Sequence, residues 1–380
     1  MTPGARAAAA IAVLDRVLTG EPAEKALTNW GRASRFAGSG DRAAVRDLVY
    51  DALRQRRSAA ALGGGDTGRG LVLGLMRAAG QEGLFNGEGH APAPPGDEVG
   101  REPEGAEALD LPDWLIPEMA RSLGDRLAPV AQAMRQRAPV FLRVNLGRGT
   151  VAAALAALAE EGIEARPHPL ADTALEVVAG ARKVQASRAF LAGLVELQDA
   201  SSQAVVAALP LVDGMRVLDH CAGGGGKTLA MAARAKLRLW AHDATPRRMA
   251  DLPDRARRAG VKVNLADRPE ATAPYDLVLV DAPCSGSGSW RRDPEGKWRL
   301  TPARLSELVA VQAAILDRVT PMVVPGGWLG YATCSLLAAE NGDQTAAFLA
   351  RHPGWQLEAE RRFTPLEGGD GFYLALFRRS

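Results

Sequence analysis

Apolar positions in the first eighty or so residues recur with helical spacing. Within Asp41–Arg57, Val45, Leu48, Val49, Ala52 and Leu53 fall at i, i+3, i+4, i+7 and i+8, the signature of one buried helix face. Ser39 is the expected N-cap of that helix. An earlier helix carries Ile11, Leu14 and Leu18 on one face, and Asp15 and Arg16 interrupt the apolar N-terminal stretch, which reads as helix rather than signal peptide. An all-helical domain is therefore expected over 1–84. Residues 85–111 are rich in Pro, Gly and acids without periodicity and read as a linker.

Over 112–200 the pattern mixes strands (VFLRVNL, ALEVV) with the helix VAAALAALAEEG, stopped at Gly162, and closes on LVELQDASSQAVVAAL, a strand running into a helix. This predicts a small α+β module. Over 201–380 the alternation becomes regular. MRVLDHC, LRLWAHD, VNLAD, YDLVLVDAPC and GWLGYATCS read as strands, with helices between them and two further strands, WQLEAE and FYLALFRR, at the end. One helix is expected across PRRMADLPDRARRAG despite Pro253. YDLVLVDAPC is almost uninterruptedly apolar, as a strand covered on both faces requires. The expected class is α/β, a Rossmann-like, parallel doubly wound sheet.

Composition adds limits. No run of eighteen or more uncharged apolar residues appears, so no membrane span is expected. Three cysteines, an odd number, argue against a disulfide scaffold and for a reducing cytoplasm. The net charge of +2 does not itself indicate a nucleic-acid partner. Basic pairs at Arg247-Arg248, Arg257-Arg258, Arg291-Arg292 and Arg361-Arg362 suit phosphates, and for any one pair a solvated surface explains the charge equally well. The five histidines form no ligand pattern, so no metal site is expected.

Four segments can carry chemistry. Asp219-His-Cys-Ala-Gly-Gly-Gly-Gly-Lys-Thr228 joins a strand to a helix through consecutive glycines, which lets a ligand approach the backbone of Ala222, Gly223, Gly224, Gly225, Gly226 and Lys227. It is not a P-loop, because Cys221 stands where that spacing needs Gly. Asp243, at the end of the next strand, lies at the distance where a carboxylate meets a ribose diol, and Asp267, ending the third, could face an adenine. Both fit a nicotinamide dinucleotide as well as S-adenosylmethionine. Asp281-Ala-Pro-Cys284 follows the buried strand, and Thr-Cys334-Ser ends the next long one, so the two thiols are expected on the same rim of the sheet. Arg291, Arg292, Lys297 and Arg299, interleaved with Trp290 and Trp298, suit phosphate contact and base stacking; Trp residues packed inward are the competing explanation.

Two thiols have a chemical rationale. Carbon 5 of cytosine is a poor nucleophile; a thiolate added at carbon 6 makes an enamine-like adduct whose carbon 5 attacks a sulfonium methyl group. A carboxylate such as Asp281 can hold and protonate the ring.

These segments resemble the Sun/RsmB-type RNA cytosine carbon-5 methyltransferases over nearly the whole chain. The family's loop reads D-x-C-A-x-P-G-G-K-T, and this chain has Gly224 where Pro is usual. The resemblance implies S-adenosyl-L-methionine as cofactor, held by Asp243, Asp267, Asp281 and the backbone from Ala222 to Lys227. It implies Cys334 as nucleophile, Cys284 assisting product release, and Asp281 contacting the target cytosine, with Cys221 structural. Residues 1–84 look like a NusB-type RNA-binding domain, and 112–200 like the substrate-side module before the catalytic domain, 201–380. RNA is the implied partner, 16S ribosomal RNA before transfer RNA, for a cytoplasmic monomer. A NAD-dependent oxidoreductase and a non-catalytic RNA-binding factor are the competing classes. The first leaves both Cys segments unexplained, and the second leaves Cys334, Cys284 and Asp281 idle.

Overall fold

The computed structural model describes residues 1–380, which fall into two units: Met1–Arg137 with Trp290–Arg299, and Ala138–Ser289 with Leu300–Ser380.

The first unit is built on helices α1 (Pro3–Leu18), α2 (Ala23–Ala33), α3 (Ser39–Arg54), α4 (Arg56–Gly63) and α5 (Gly68–Ala78). The stripe predicted on α3 is inward: Val45, Val49, Ala52 and Leu53 share one core with Leu14 of α1 and Leu71 of α5. The N-cap is Gly38 rather than Ser39, because Asp41 in the first turn takes the Gly38 N–H at 3.1 Å and fixes the helix start there. Helices α4 and α5 approach closely through glycine: a Cβ on Gly74 would sit 1.9 Å from the Ala59 carbonyl oxygen.

Residues 85–111 are not a free spacer. Phe85 is buried in the helical core, and Arg101 N–H bonds the Ala61 carbonyl at 2.9 Å. Asp110, buried, caps α4. Its Oδ1 accepts the N–H groups of Arg57 and Ser58, both at 2.9 Å, and its Oδ2 takes the Ser58 hydroxyl at 2.8 Å and Arg135 at 2.7 Å. Pro, Gly and acids preclude regular elements, but they do not preclude packing. The helices Leu115–Leu123 and Leu127–Met134 pack within this unit, ahead of the first strand, Val140–Val144.

The second unit holds two sheets. The smaller comprises β1 (Val140–Val144), β2 (Glu164–Pro167), β3 (Ala174–Ala179) and β4 (Val195–Leu197), antiparallel in the order β2-β3-β1-β4. The larger comprises β5 (Arg216–Asp219), β6 (Arg238–Ala241), β7 (Val263–Leu265), β8 (Tyr275–Asp281), β9 (Val323–Thr333), β10 (Trp355–Phe363) and β11 (Phe372–Arg379). Its order is β10-β11-β9-β8-β5-β6-β7. Five strands, β5 to β9, run parallel, but β11 is antiparallel to both β9 and β10. The reason is connection length: a parallel crossover needs about a dozen residues or more, and the loop after Phe363 is too short for one. Pro253 also breaks its predicted helix into a 3₁₀ turn, Pro246–Met249, and a helix, Leu252–Ala259, that takes the proline in its first turn. The sheets are joined through Arg143 of β1, which donates to the Gly226 carbonyl at 2.8 Å, and through Glu196 of β4, paired with Arg258 at 2.7 Å. No helix is long and apolar enough to cross a membrane.

Candidate active site

Chain order reverses at β5, which lies between β8 and β6, and open α/β sheets bind ligands in the crevice at such a point. Asp219 ends β5, Asp281 ends β8, Asp243 and Asp267 follow β6 and β7, and Cys334 follows β9. One rim of the parallel strands therefore gathers the residues that the sequence singled out in this unit.

The glycine loop has left-handed backbone at Gly223 (φ +50°) and Gly225 (φ +80°). At Gly225 the requirement is double, since a Cβ would lie 2.2 Å from Leu252 Cδ1. Gly224 is exposed, and its carbonyl accepts from Arg255. Asp243 is buried and ties the loop to β6. Its Oδ2 accepts Gly223 N–H at 3.0 Å and pairs with Arg248 at 3.1 Å, while its Oδ1 accepts Thr245 N–H at 2.9 Å. Asp267 is exposed at the end of β7.

Asp219 is fully buried, with Oδ2 bonded to the Thr228 hydroxyl at 2.7 Å and Oδ1 without a hydrogen-bond partner. Burial pushes its carboxyl up to about 7. An orphaned carboxylate oxygen, a left-handed glycine loop and a carboxylate after β6 fit a cofactor with an adenosine end and a cationic end.

Lys227 is buried and donates to Asp281 Oδ2 at 2.7 Å. Burial alone would lower its basicity, but the Asp281 charge and hydrogen bond outweigh it and hold the ammonium above its ordinary range. Beside this pair the sulfurs of Cys284 and Cys334 lie 3.4 Å apart, both partly exposed. They are electrostatically unequal. The hydrogen bond from Cys284 holds Cys334 below the usual thiol range against its burial, with Lys227 adding to the effect. The same bond, together with burial, lifts Cys284 well above that range. The two thiols are thus biased in opposite directions, Cys334 toward the thiolate and Cys284 toward the thiol. Cys221 is different: burial raises its thiol, and it packs against the core that includes Tyr275 and Tyr331.

Sequence reasoning passed over the groups that hold the two thiol loops. Glu340, Gln312, Ser285 and Ser335 form one buried network under the sulfurs. The Glu340-Asn341 pair was visible in the sequence, but nothing in its spacing shows which loops it grips.

The expected RNA contacts are placed elsewhere. Trp290–Arg299 packs within the helical unit. Lys297 is buried and donates to the Arg54 carbonyl at 3.0 Å, burial holding its ammonium down to about 7. Trp298 Nε1 donates to the Leu53 carbonyl at 2.6 Å, and Arg291 is buried. Lys297 and Arg291, expected as open RNA contacts, are instead desolvated groups that do not face a solvent-borne phosphate, whereas Trp298 is half-buried. Arg292 and Arg299 are exposed, Arg299 paired with Glu295.

A mainly parallel seven-stranded sheet with Asp219, Asp243, Asp281 and Cys334 on one rim defines a Rossmann-like α/β fold. Residues 206–378 match the family model "16S rRNA methyltransferase RsmB/F", and residues 111–185 match the ferredoxin-like domain of RsmF/B-like methyltransferases. Over these two segments the chain is similar to the RsmB/F methyltransferases. Ribosomal RNA small subunit methyltransferase B of Klebsiella pneumoniae is 36% identical over 282 residues, covering 70% of this chain and 65% of that protein. Its Yersinia pestis counterpart is 34% identical over 280 residues, with the same coverage. The alignments thus span somewhat under two thirds of those relatives' length. Among solved structures, PH0851 matches with a TM-score of 0.77 at 22% identity, covering 100% of this chain and 99% of that one. A methyltransferase homologue from Pyrococcus horikoshii matches with a TM-score of 0.63 at 24% identity, covering 72% and 97%.

Proposed function

We propose that this protein transfers a methyl group from S-adenosylmethionine to carbon 5 of a cytosine in 16S ribosomal RNA, through a covalent bond between Cys334 and the base. The observation that carries the reading is the thiol pair, with sulfurs 3.4 Å apart and protonation biased toward a Cys334 thiolate. A purely binding role would not need that asymmetry.

The target base must leave its stack to enter the crevice. The Cys334 thiolate adds to carbon 6, forming an S–C bond, while Asp281, oriented by Lys227, holds N3 and the exocyclic amine and relays a proton to N3. Bound S-adenosylmethionine supplies the electrophilic methyl group. Asp243 would hold its ribose, with Asp267, Asp281 and the backbone of Ala222–Lys227 around the remainder. After transfer, carbon 5 loses its proton, the carbon 5–carbon 6 double bond re-forms, Cys334 leaves as thiolate, and N3 gives back the proton it received. Cys284, within hydrogen-bond reach of the departing sulfur, assists this release. The helical domain over 1–84 is read as a NusB-like RNA-binding domain, and the protein as a monomer working in the cytoplasm, where thiols stay reduced.

Bisulfite sequencing of RNA from cells with and without the gene tests the activity: one 16S cytosine should lose protection, and unchanged ribosomal RNA would end the proposal. Cys284→Ala should accumulate a protein–RNA adduct stable on denaturing gels, and Cys334→Ala none. The reverse pattern would overturn the assignment of roles.

A further inference from the structure

Glu340 takes no part in the steps above, yet it is fully buried and its carboxylate is saturated. Oε1 accepts the Ser285 N–H at 2.8 Å and the Gln312 amide at 3.0 Å. Oε2 accepts the hydroxyls of Ser285 and Ser335, both at 2.5 Å. These four donors use the acceptor sites of a carboxylate.

Where the donors come from gives the arrangement its meaning. Ser285 follows Cys284, and Ser335 follows Cys334. One side chain therefore fastens two loops, far apart in sequence, at the residue next to each thiol. Further bonds reinforce the join: Gly288 N–H to the Cys334 carbonyl at 2.9 Å, and Leu336 N–H to the Ser287 hydroxyl at 2.8 Å. Glu340 is itself anchored, because the Tyr331 hydroxyl donates to its carbonyl at 2.6 Å. Burying a carboxylate is costly, so a fold that needed only to fill this space would do so more cheaply with an apolar side chain.

We propose that Glu340 is a positioning residue that sets the separation of Cys284 and Cys334, and thereby the hydrogen bond between their sulfurs. The inference rests on the thiol roles proposed above. It acts through the thiols and not on the RNA, which separates it from a general contribution to folding.

The substitutions divide cleanly. In Glu340→Gln the amide oxygen can keep Ser285 N–H and Gln312, while its NH₂ donates to the two serine hydroxyls, which rotate to accept. In Glu340→Ala all four donors lose their acceptor. The test uses the full-length protein with Cys221→Ser, so that only the two thiols remain. Diamide removes two electrons and two protons from them, becoming the hydrazine and leaving a Cys284–Cys334 disulfide that mass spectrometry counts over time. Misplacing the sulfurs by about an ångström should slow this about tenfold or more in Glu340→Ala, with Glu340→Gln within about threefold of the parent. Turnover with RNA should fall in parallel for the Ala variant, with S-adenosylhomocysteine affinity and the RNA KM unchanged. Disulfide formation at the parent rate in Glu340→Ala overturns the proposal. If that variant does not fold, Ser335→Ala, which removes one of the four donors, should give an intermediate rate, and a parental rate there overturns it equally. The disulfide readout needs no RNA. A failure here leaves the methyl-transfer reading intact, whereas normal thiol coupling without methyl transfer counts against that reading alone.

Discussion

Asp219 gives the site a pH signature that can be worked through in numbers. Its folded-state carboxyl lies near 7 against an ordinary 3.8, because it is buried and one oxygen has no donor. A carboxyl raised in the folded state holds its proton there while the unfolded chain has already released it. The protein therefore loses stability as pH rises from the unfolded value toward the folded one. At about 1.36 kcal/mol per unit, the penalty is close to zero near pH 3, about 2 kcal/mol at pH 5 and about 4 kcal/mol at pH 8. Asp219→Asn keeps the shape and an acceptor for Thr228 and cannot ionise. Its stability relative to wild type should thus improve by about 2–3 kcal/mol between pH 5 and pH 8 in ligand-free protein. For a unit of this size that is a relative shift of about 5–10 °C in the melting midpoint. Calorimetry of both proteins at the two pH values reads it directly, and titrating groups remote from Asp219 cancel in the difference. Parallel curves, with a gap independent of pH, would show that Asp219 is ionised throughout and that the desolvation reasoning is wrong.

Other consequences are simpler. Gly225→Ala should lower the melting point and weaken S-adenosylhomocysteine binding, since left-handed backbone and overlap with Leu252 together cost about 2–4 kcal/mol. Gly224→Ala, whose Cβ would meet only the tip of Arg255 at 3.0 Å, should change the midpoint little. Asp110→Ala strips the cap of α4 and leaves Arg135 without its buried partner, so denaturant unfolding of the helical unit should report a loss of about 3–5 kcal/mol. Lys297→Met should leave RNA affinity and its salt dependence unchanged, because the ammonium is already committed inside. Its folded-state pKa is lowered, so the wild-type penalty is present at neutral pH and fades as pH rises from about 7 toward the ordinary lysine value. The stability gain of the Met variant should shrink over that same range. A reduced salt slope in filter binding would restore Lys297 as a phosphate contact.

Local sequence was enough for much of this protein. Periodicity located the α3 face through Val45, Val49 and Leu53, and near-continuous apolarity marked β8 as doubly covered, because both signals depend only on spacing along one element. The placement of Cys284, Cys334, Asp243 and Asp281 at strand ends follows likewise, since a parallel sheet puts every carboxyl end on one rim. Tertiary structure decided what depends on partners distant in the chain. It turned 85–111 from a spacer into a strap ending in the Asp110 cap. It drew Trp290–Arg299 into the helical unit, so that a run with the composition of an RNA contact became internal packing around Lys297. It made the last strand pair antiparallel. Above all it brought Ser285, Gln312, Ser335 and Glu340 together beneath the sulfurs. Hydrogen-bond partners chosen by long-range packing leave no period in the sequence, and the two thiols that meet at 3.4 Å stand 50 residues apart in the chain.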